Sequence, residues 1–259
     1  MSFDVSVPNA ARVYDFFLGG KDNYASDREL AQKILAILPD TADVCRDNRG
    51  FLQRAVRFLA GEAGIRQFLD IGTGLPTNGN VHQVAQETAP GSRVAYVDYD
   101  PVVLAHARAL LASDRDVIAT KGDLRSPEAI LANADVRQLI DFSQPVAVLI
   151  VAVLHFVADA DQPYEAVRTV VDALPSGSYL VLSQSTPDEV PDDVTVAMKD
   201  AYSGASAQVF PRSSEEIARF FDGLELVDPG LVNVTLWRPD RPSDTPRRSL
   251  IYGGVGLKP

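Results

Sequence analysis

Phe68-Leu-Asp-Ile-Gly-Thr-Gly-Leu-Pro76 is a short apolar run that lands on Gly72-Thr-Gly74. A buried strand that turns into a helix reads this way, because residues without Cβ atoms allow the tight turn and a close approach to the backbone. The same alternation continues on the C-terminal side. A helix is expected over about Asn80–Glu87, a strand over Arg93–Asp98, a helix over Pro101–Leu111 and a strand over Val117–Thr120. A helix over Pro127–Leu139 then precedes Val146–Val153, whose unbroken apolar character marks a strand buried on both faces of a parallel sheet. A helix over Gln162–Leu174, a strand over Ser178–Ser183, a helix over Ser213–Phe221 and two strands over about Leu224–Trp237 and Ser249–Gly256 complete the series. Strand and helix alternate at least five times, so the fold class is a doubly wound α/β sheet. N-terminal to Phe68 the pattern is helical instead. Asn9–Leu18 carries Val13, Phe16 and Phe17 on one face and stops at Gly19-Gly20. Asp27–Leu38 and Asn48–Glu62 read as two more helices.

The chain has 259 residues, with 24 Lys and Arg against 35 Asp and Glu, a net charge of −11. An acidic field of that size repels nucleic acid and anionic membrane surfaces, so neither is expected as a partner. The lone cysteine, Cys45, closes no intramolecular disulfide and builds no Cys-rich zinc site. His82, His106 and His155 show no ligand spacing, and no metal is expected. The start of the chain lacks the pattern of a secretory signal. The longest apolar run, Val146–Leu154, is far shorter than the ~20 residues of a membrane span. The expected location is cytoplasmic.

Ligands of open α/β sheets collect at the carboxyl ends of the strands, where Gly72, Thr73 and Gly74 lie. The next strand ends at Asp98, 26 residues after Gly72, and a carboxylate there suits both hydroxyls of a ribose. Tyr99 offers a ring against an adenine. Asp100-Pro101 is a helix start, with Asp as cap and Pro at the first helical position. Asp123, after the third strand, can accept from an adenine amino group or cap the helix near Ser126. A dinucleotide fingerprint requires glycine at position 77, where this chain has Thr77, and no GxxxxGK[ST] phosphate loop occurs. The ligand expected is an adenosyl compound without phosphate, S-adenosylmethionine, leaving S-adenosylhomocysteine as product. Asp70 would pair with its ammonium group or orient it through water.

Asp70-Ile-Gly-Thr-Gly74, Val97-Asp-Tyr-Asp-Pro101, Gly122-Asp-Leu124 and Val151-Ala-Val-Leu-His-Phe156, in that order, resemble the motifs of class I S-adenosylmethionine-dependent methyltransferases. On those motifs Gly122, Leu124 and Val151 join the expected cofactor-binding residues. Arg12-Val-Tyr-Asp-Phe-Phe-Leu-Gly-Gly-Lys-Asp-Asn-Tyr24, Asp47-Asn-Arg49 and Gly72-Thr-Gly-Leu-Pro-Thr-Asn78 resemble, more narrowly, a family of uncharacterised actinobacterial S-adenosyl methyltransferases (DUF574-like). The resemblance implies a Rossmann-like, mostly parallel, seven-stranded sheet with helices on both faces and an antiparallel last strand. It also implies a cap of N-terminal helices over the cofactor, here residues 1–62, on a core of residues 63–259. It supplies no acceptor.

Methyl transfer from a sulfonium is an in-line displacement, so positioning supplies much of the rate and a fixed catalytic motif is not required. His155, at the end of the central strand, is the candidate general base or a residue that shapes the cleft. Arg12 could hold the cofactor's carboxylate in a two-bond fork, with Arg49 a second candidate. Tyr14 would cover the sulfonium with its ring face. Gly20, with Gly19, would let the following loop close over the cleft. The same N-terminal helix also reads as one that docks only through Val13, Phe16 and Phe17. The reading is an enzyme that methylates a small molecule, on oxygen, nitrogen or carbon. A non-catalytic sensor of S-adenosylmethionine is the alternative, and Thr77 disfavours a dehydrogenase using NAD. Arg238–Arg248, rich in Pro, Arg and Asp, reads as a surface loop whose arginines could touch an acidic ligand. Oligomeric state leaves no trace in the sequence.

Overall fold

The computed structural model describes residues 4–77, 79–111, 114–188, 190–241 and 249–259. Three helices come first: α1 (Ala10–Phe17), α2 (Ala25–Ile37) and α3 (Thr41–Gly61). The alternating part runs β1 (Gln67–Ile71), α4 (Val81–Thr88), β2 (Arg93–Asp98), α5 (Pro101–Leu111), β3 (Val117–Lys121), α6 (Pro127–Leu131), α7 (Ala134–Leu139), β4 (Ala147–Val151), α8 (Pro163–Asp172) and β5 (Tyr179–Ser185). The chain closes with α9 (Asp192–Tyr202), α10 (Ser214–Ala218), β6 (Glu225–Leu226), β7 (Val232–Asn233) and β8 (Ile251–Leu257).

The sheet order is β3-β2-β1-β4-β5-β8-β6, and β7 also pairs with β8. The first five strands are parallel, whereas β8 runs antiparallel to β5, with Tyr179 opposite Leu257 and Ser185 opposite Ile251. The two short strands β6 and β7 share one edge position, so the sheet has seven positions and the Rossmann-like form of class I methyltransferases. The expected strand over Leu224–Trp237 is therefore two fragments. Its middle is Asp228-Pro229-Gly230, where proline offers no ladder donor and Gly230 takes a φ of +92°. Pro127–Leu139 is likewise two helices, because Asn133 caps α7 by accepting from the amides of Asp135 and Val136. The third helix begins at Thr41 rather than Asn48. Arg238 stacks on Phe58, with its guanidinium 4.1 Å from the ring centroid, and residues 242–248 of the arginine-rich loop lie outside the described residues.

Helices cover both faces of the sheet. On one, Phe51, Leu59, Val81 and Ala85 pack on Phe68, Val94, Leu149 and Trp237. On the other, Ile130, Val136, Val167, Val170 and Phe220 pack on Leu69, Val97, Val148 and Leu182. A third cluster holds no strand residue: Val13, Phe17, Leu30, Ile34 and Cys45 meet Tyr202, with Met198 and Phe156 at its margin. This cluster thus joins the N-terminal helices to α9. Helix α3 serves two cores, since Cys45 belongs to this third cluster and Phe51 onward to the sheet. Among the described residues, no helix is long and apolar enough to cross a membrane.

Candidate functional site

A cavity of about 380 Å³ lies at the carboxyl ends of β1 to β4. Helix α1 contributes Asn9, Ala11, Tyr14, Asp15 and Leu18 to its wall, and α3 contributes Asn48, Arg49 and Leu52. The strand tips and following turns add Asp70, Gly72, Thr73, Gly74, Asp98, Tyr99, Gly122, Asp123, Leu124 and Val151. Ala152, Val153, Phe156, Ser206, Gln208 and Phe210 complete the side next to β4.

The turn after β1 shows why glycine stands there. Gly72 has a φ of +75°, and a Cβ on it would lie 2.5 Å from a methyl of Val153. Its amide donates to the carbonyl of Val97 at 2.7 Å, fastening the turn to β2. Gly122 answers a different need, because a Cβ there would lie 2.5 Å from Val97 inside the sheet's packing.

Asp98 accepts from the amide of Gly74 at 3.0 Å through one oxygen and from the amide of Asp100 at 2.9 Å through the other. Burial nevertheless raises its pKa, against those hydrogen bonds. Asp70 accepts from the Thr73 hydroxyl at 3.1 Å, and burial pushes its carboxyl up to about 7, opposed by Thr73 and the charge of Arg49. Asp123 is held below its ordinary range by Arg125, whose Nε donates at 2.9 Å and Nη2 at 2.5 Å. It also accepts from the Arg125 amide, and Ser126 takes the capping position of α6. The Arg125 guanidinium lies 5.9 Å from the Tyr99 ring centroid, while Tyr99 itself is 43% exposed.

Three expected residues lie elsewhere. Arg12 is buried away from the cavity, its Nε donating to Asp27 at 2.8 Å and its Nη2 to the carbonyl of Val7 at 2.6 Å. That ion pair, formed inside the cap, leaves Arg12 no reach to a ligand. Arg49 does line the cavity, as does Arg125: the Arg49 Nη2 donates to Asn80 at 2.9 Å, and its buried Nε has no hydrogen-bond partner among the described residues. Gly20 is also off the cavity wall, and its loop folds back on Asp15 rather than over the cleft. His155 packs behind Phe156, and its Nδ1 accepts from the amide of Ser185 at 3.3 Å. In the neutral ring that bond assigns the proton to Nε2, so no lone pair remains to act as a base. Burial first, and Arg212 second, push its pKa down to about 4.

Tyr14 lines the cavity, but its hydroxyl is committed, donating to the carbonyl of Cys45 and accepting from Asn48 Nδ2, each at 3.0 Å. Burial raises the phenol's pKa. Asn48 in turn accepts from Ser183 Oγ at 2.6 Å, and Ser183 Oγ accepts from the amide of Ala152 at 3.1 Å. Ala152, at the tip of β4, holds a φ of +58°, a left-handed conformation uncommon for alanine. Sequence reasoning missed Asn48, Asp15 and the segment from Ser206 to Phe210. Asp15 carried a signal, a carboxylate beside Phe16 and Phe17 in an otherwise apolar stretch of helix.

The whole chain, residues 1–259, matches the family described as S-adenosyl methyltransferase. A crystal structure of a putative methyltransferase from Thermobifida fusca YX is 44% identical, with a TM-score of 0.93, and the match covers 98% of this chain and 96% of that one. A DUF574 family protein from Streptomyces avermitilis MA-4680 is 41% identical over 99% of both chains, also with a TM-score of 0.93. An O-methyltransferase family protein from Burkholderia thailandensis, 14% identical with a TM-score of 0.52 over 94% of this chain and 63% of that one, shares the fold alone. No curated protein matches the chain. The chain belongs to the S-adenosyl methyltransferase family, and its cofactor is S-adenosylmethionine.

Proposed function

We propose that the protein transfers a methyl group from S-adenosylmethionine to a small-molecule acceptor bound beside the tip of β4. The observation that carries this reading is the presence in one cavity of Asp98, the turn from Gly72 to Gly74 and Arg49, whose buried Nε has no partner among the described residues. These groups fit a ligand that is adenosyl at one end and an amino acid at the other. Asp98 keeps acceptor capacity on both oxygens for ribose hydroxyls after binding the Gly74 and Asp100 amides. Tyr99 and Leu124 flank the adenine, with Asp123 reaching its amino group once Arg125 yields. Arg49 takes the carboxylate in a charge-assisted bond. Asp70, Thr73, Gly122 and Val151 complete the lining around it.

When bound, S-adenosylmethionine supplies an electrophilic methyl group on a sulfonium. The chain's part is to hold an acceptor in line with it and to exclude water. Leu52, Val153, Phe156 and Phe210 give the β4 side an apolar wall, and Tyr14 adds a ring whose hydroxyl is already bound. The α1 segment, with α2 and α9 behind it, acts as a cap over the ligand. A volume near 380 Å³ lies at the low end of the ~300–1,000 Å³ typical of small-molecule sites. A net charge of −11 further disfavours a nucleic-acid acceptor.

Incubation with methyl-labelled cofactor and fractionated small metabolites tests the reading, and a labelled small product is expected. Tight binding of S-adenosylmethionine with no labelled product from any fraction would make the protein a sensor. Binding of NAD without either sulfur ligand would overturn the cofactor site.

A further inference from the structure

We propose that Asp15, on the cap helix α1, is the counter-ion for the ammonium group at the amino-acid end of the ligand. The proposal rests on the adenosyl reading above and adds a residue from the cap to it.

Asp15 is only 3% exposed and lines the cavity. Its Oδ2 accepts from the amide of Asp22 at 3.0 Å and from Asn23 Nδ2 at 2.9 Å. Its Oδ1 accepts no hydrogen bond from the described residues. The loop that follows α1 is thus satisfied by one oxygen and leaves the other over. Position 20 preserves that arrangement, since a Cβ on Gly20 would lie 1.9 Å from Oδ1. A buried carboxylate with no cation is unfavourable unless a ligand supplies one. Among the described residues no cation pairs with it directly: His106 of α5 pairs with Asp22 at 3.5 Å and favours the Asp15 carboxylate only weakly, as the smallest effect on it, whereas burial is the largest and raises its pKa.

The position of α1 indicates which part of the ligand Asp15 meets. Ala11 packs on Leu75, Val102 and Val103, and Asp15 lies one turn further along the same face. Arg49 touches the same loop after β1, at Gly79 and Asn80. A carboxylate and a guanidinium therefore line the same cavity, a charge pattern complementary to a zwitterionic α-amino acid. Of the other acidic side chains on the lining, Asp98 holds the Gly74 and Asp100 amides, Asp100 holds Asn9 and the Val102 amide, Asp123 holds Arg125, and Asp70 holds Thr73 and is drawn toward its neutral form.

Calorimetric titration of the full chain with three ligands separates the possibilities. S-adenosylhomocysteine carries both the ammonium and the carboxylate, decarboxylated S-adenosylmethionine only the ammonium, and methylthioadenosine neither. Asp15→Asn should weaken the first two by about ten- to a hundredfold and leave methylthioadenosine unchanged. Arg49→Gln should weaken only the first. Gly20→Ala, which displaces the carboxylate without removing it, should follow the pattern of Asp15→Asn. Unchanged binding of methylthioadenosine shows in the same experiment that each variant is folded. Wild-type affinity of Asp15→Asn for S-adenosylhomocysteine, or an equal loss for all three ligands, overturns the assignment. If the wild type binds none of the three, the adenosyl reading falls and this proposal with it.

Discussion

Asn9 Nδ2 donates to Asp100 Oδ2 at 2.5 Å, joining the start of the first helix to the tip of β2 across 91 residues of sequence. Each residue is also a helix cap. Asn9 Oδ1 accepts from the amides of Ala11 and Arg12, and Asp100 Oδ1 accepts from the amide of Val102. Pro8 adds a carbonyl that accepts from the Ser206 amide at 2.8 Å, so the cap is fastened to both the sheet and the segment after α9. One pair of side chains therefore sets the start of two helices and closes one side of the cavity.

Asn9→Ala should cost about 1–2 kcal/mol in global stability through the lost cap. Its larger effect should be local. Amide exchange across α1 is expected to accelerate far more than exchange in β1 or β4, because the sheet cores do not depend on Asn9. Uniform acceleration over the whole chain would show that the cap and the sheet open as one unit.

Asp98→Asn keeps the shape of the strand tip but removes the charge. Affinity for S-adenosylhomocysteine should fall by about 1–3 kcal/mol. A loss of folding stability should accompany it, because the Asn carbonyl replaces only one of the two carboxylate oxygens and leaves either the Gly74 or the Asp100 amide facing an NH2 donor. An unchanged dissociation constant in calorimetry would remove Asp98 from the ligand site.

His155→Gln should leave the pH profile of methyl transfer where it is. The ring is already neutral throughout the physiological range, with its pKa down at about 4, and its Nδ1 is occupied by Ser185. Turnover is read directly as rate against pH for both proteins. A limb near the ordinary histidine range that disappears in the variant would restore the general-base role.

The strand-tip residues were legible in the sequence because strand periodicity fixes where a strand ends, and Asp70 and Asp98 stand at such ends. Arg12 and Arg49 show where that logic stops. Both are arginines on N-terminal helices, and the difference between them is Asp27, which reaches Arg12 from the next helix and buries it. Nothing local to Arg12 announces that pairing. Helix α9 was missed for a related reason: Tyr202 is its one buried residue among those described, and Val194 and Val196 weaken its helical propensity. Its fold is secured by packing on α2, a contact the sequence does not display.

Asp70 makes ligand binding dependent on pH. Its carboxyl titrates at about 7 in the fold against 3.8 ordinarily, chiefly because it is buried, with Thr73 and Arg49 pulling it down and Asp98 pushing it up. The folded protein therefore holds a proton that the unfolded chain releases. Asp70's contribution to folding is complete below about pH 3.8 and disappears as pH rises through about 7. A cationic ligand acts in the other direction, favouring the ionised carboxylate and expelling that proton. Affinity for S-adenosylmethionine should rise as pH climbs through about 7, with proton release visible as a dependence of the calorimetric enthalpy on the buffer's own ionisation enthalpy. Asp70→Asn should abolish both the release and that portion of the pH dependence, and its stability relative to the wild type should improve as pH rises over the same range. Equal enthalpies in all buffers for the wild type near that pH would show that Asp70 is ionised before the ligand arrives.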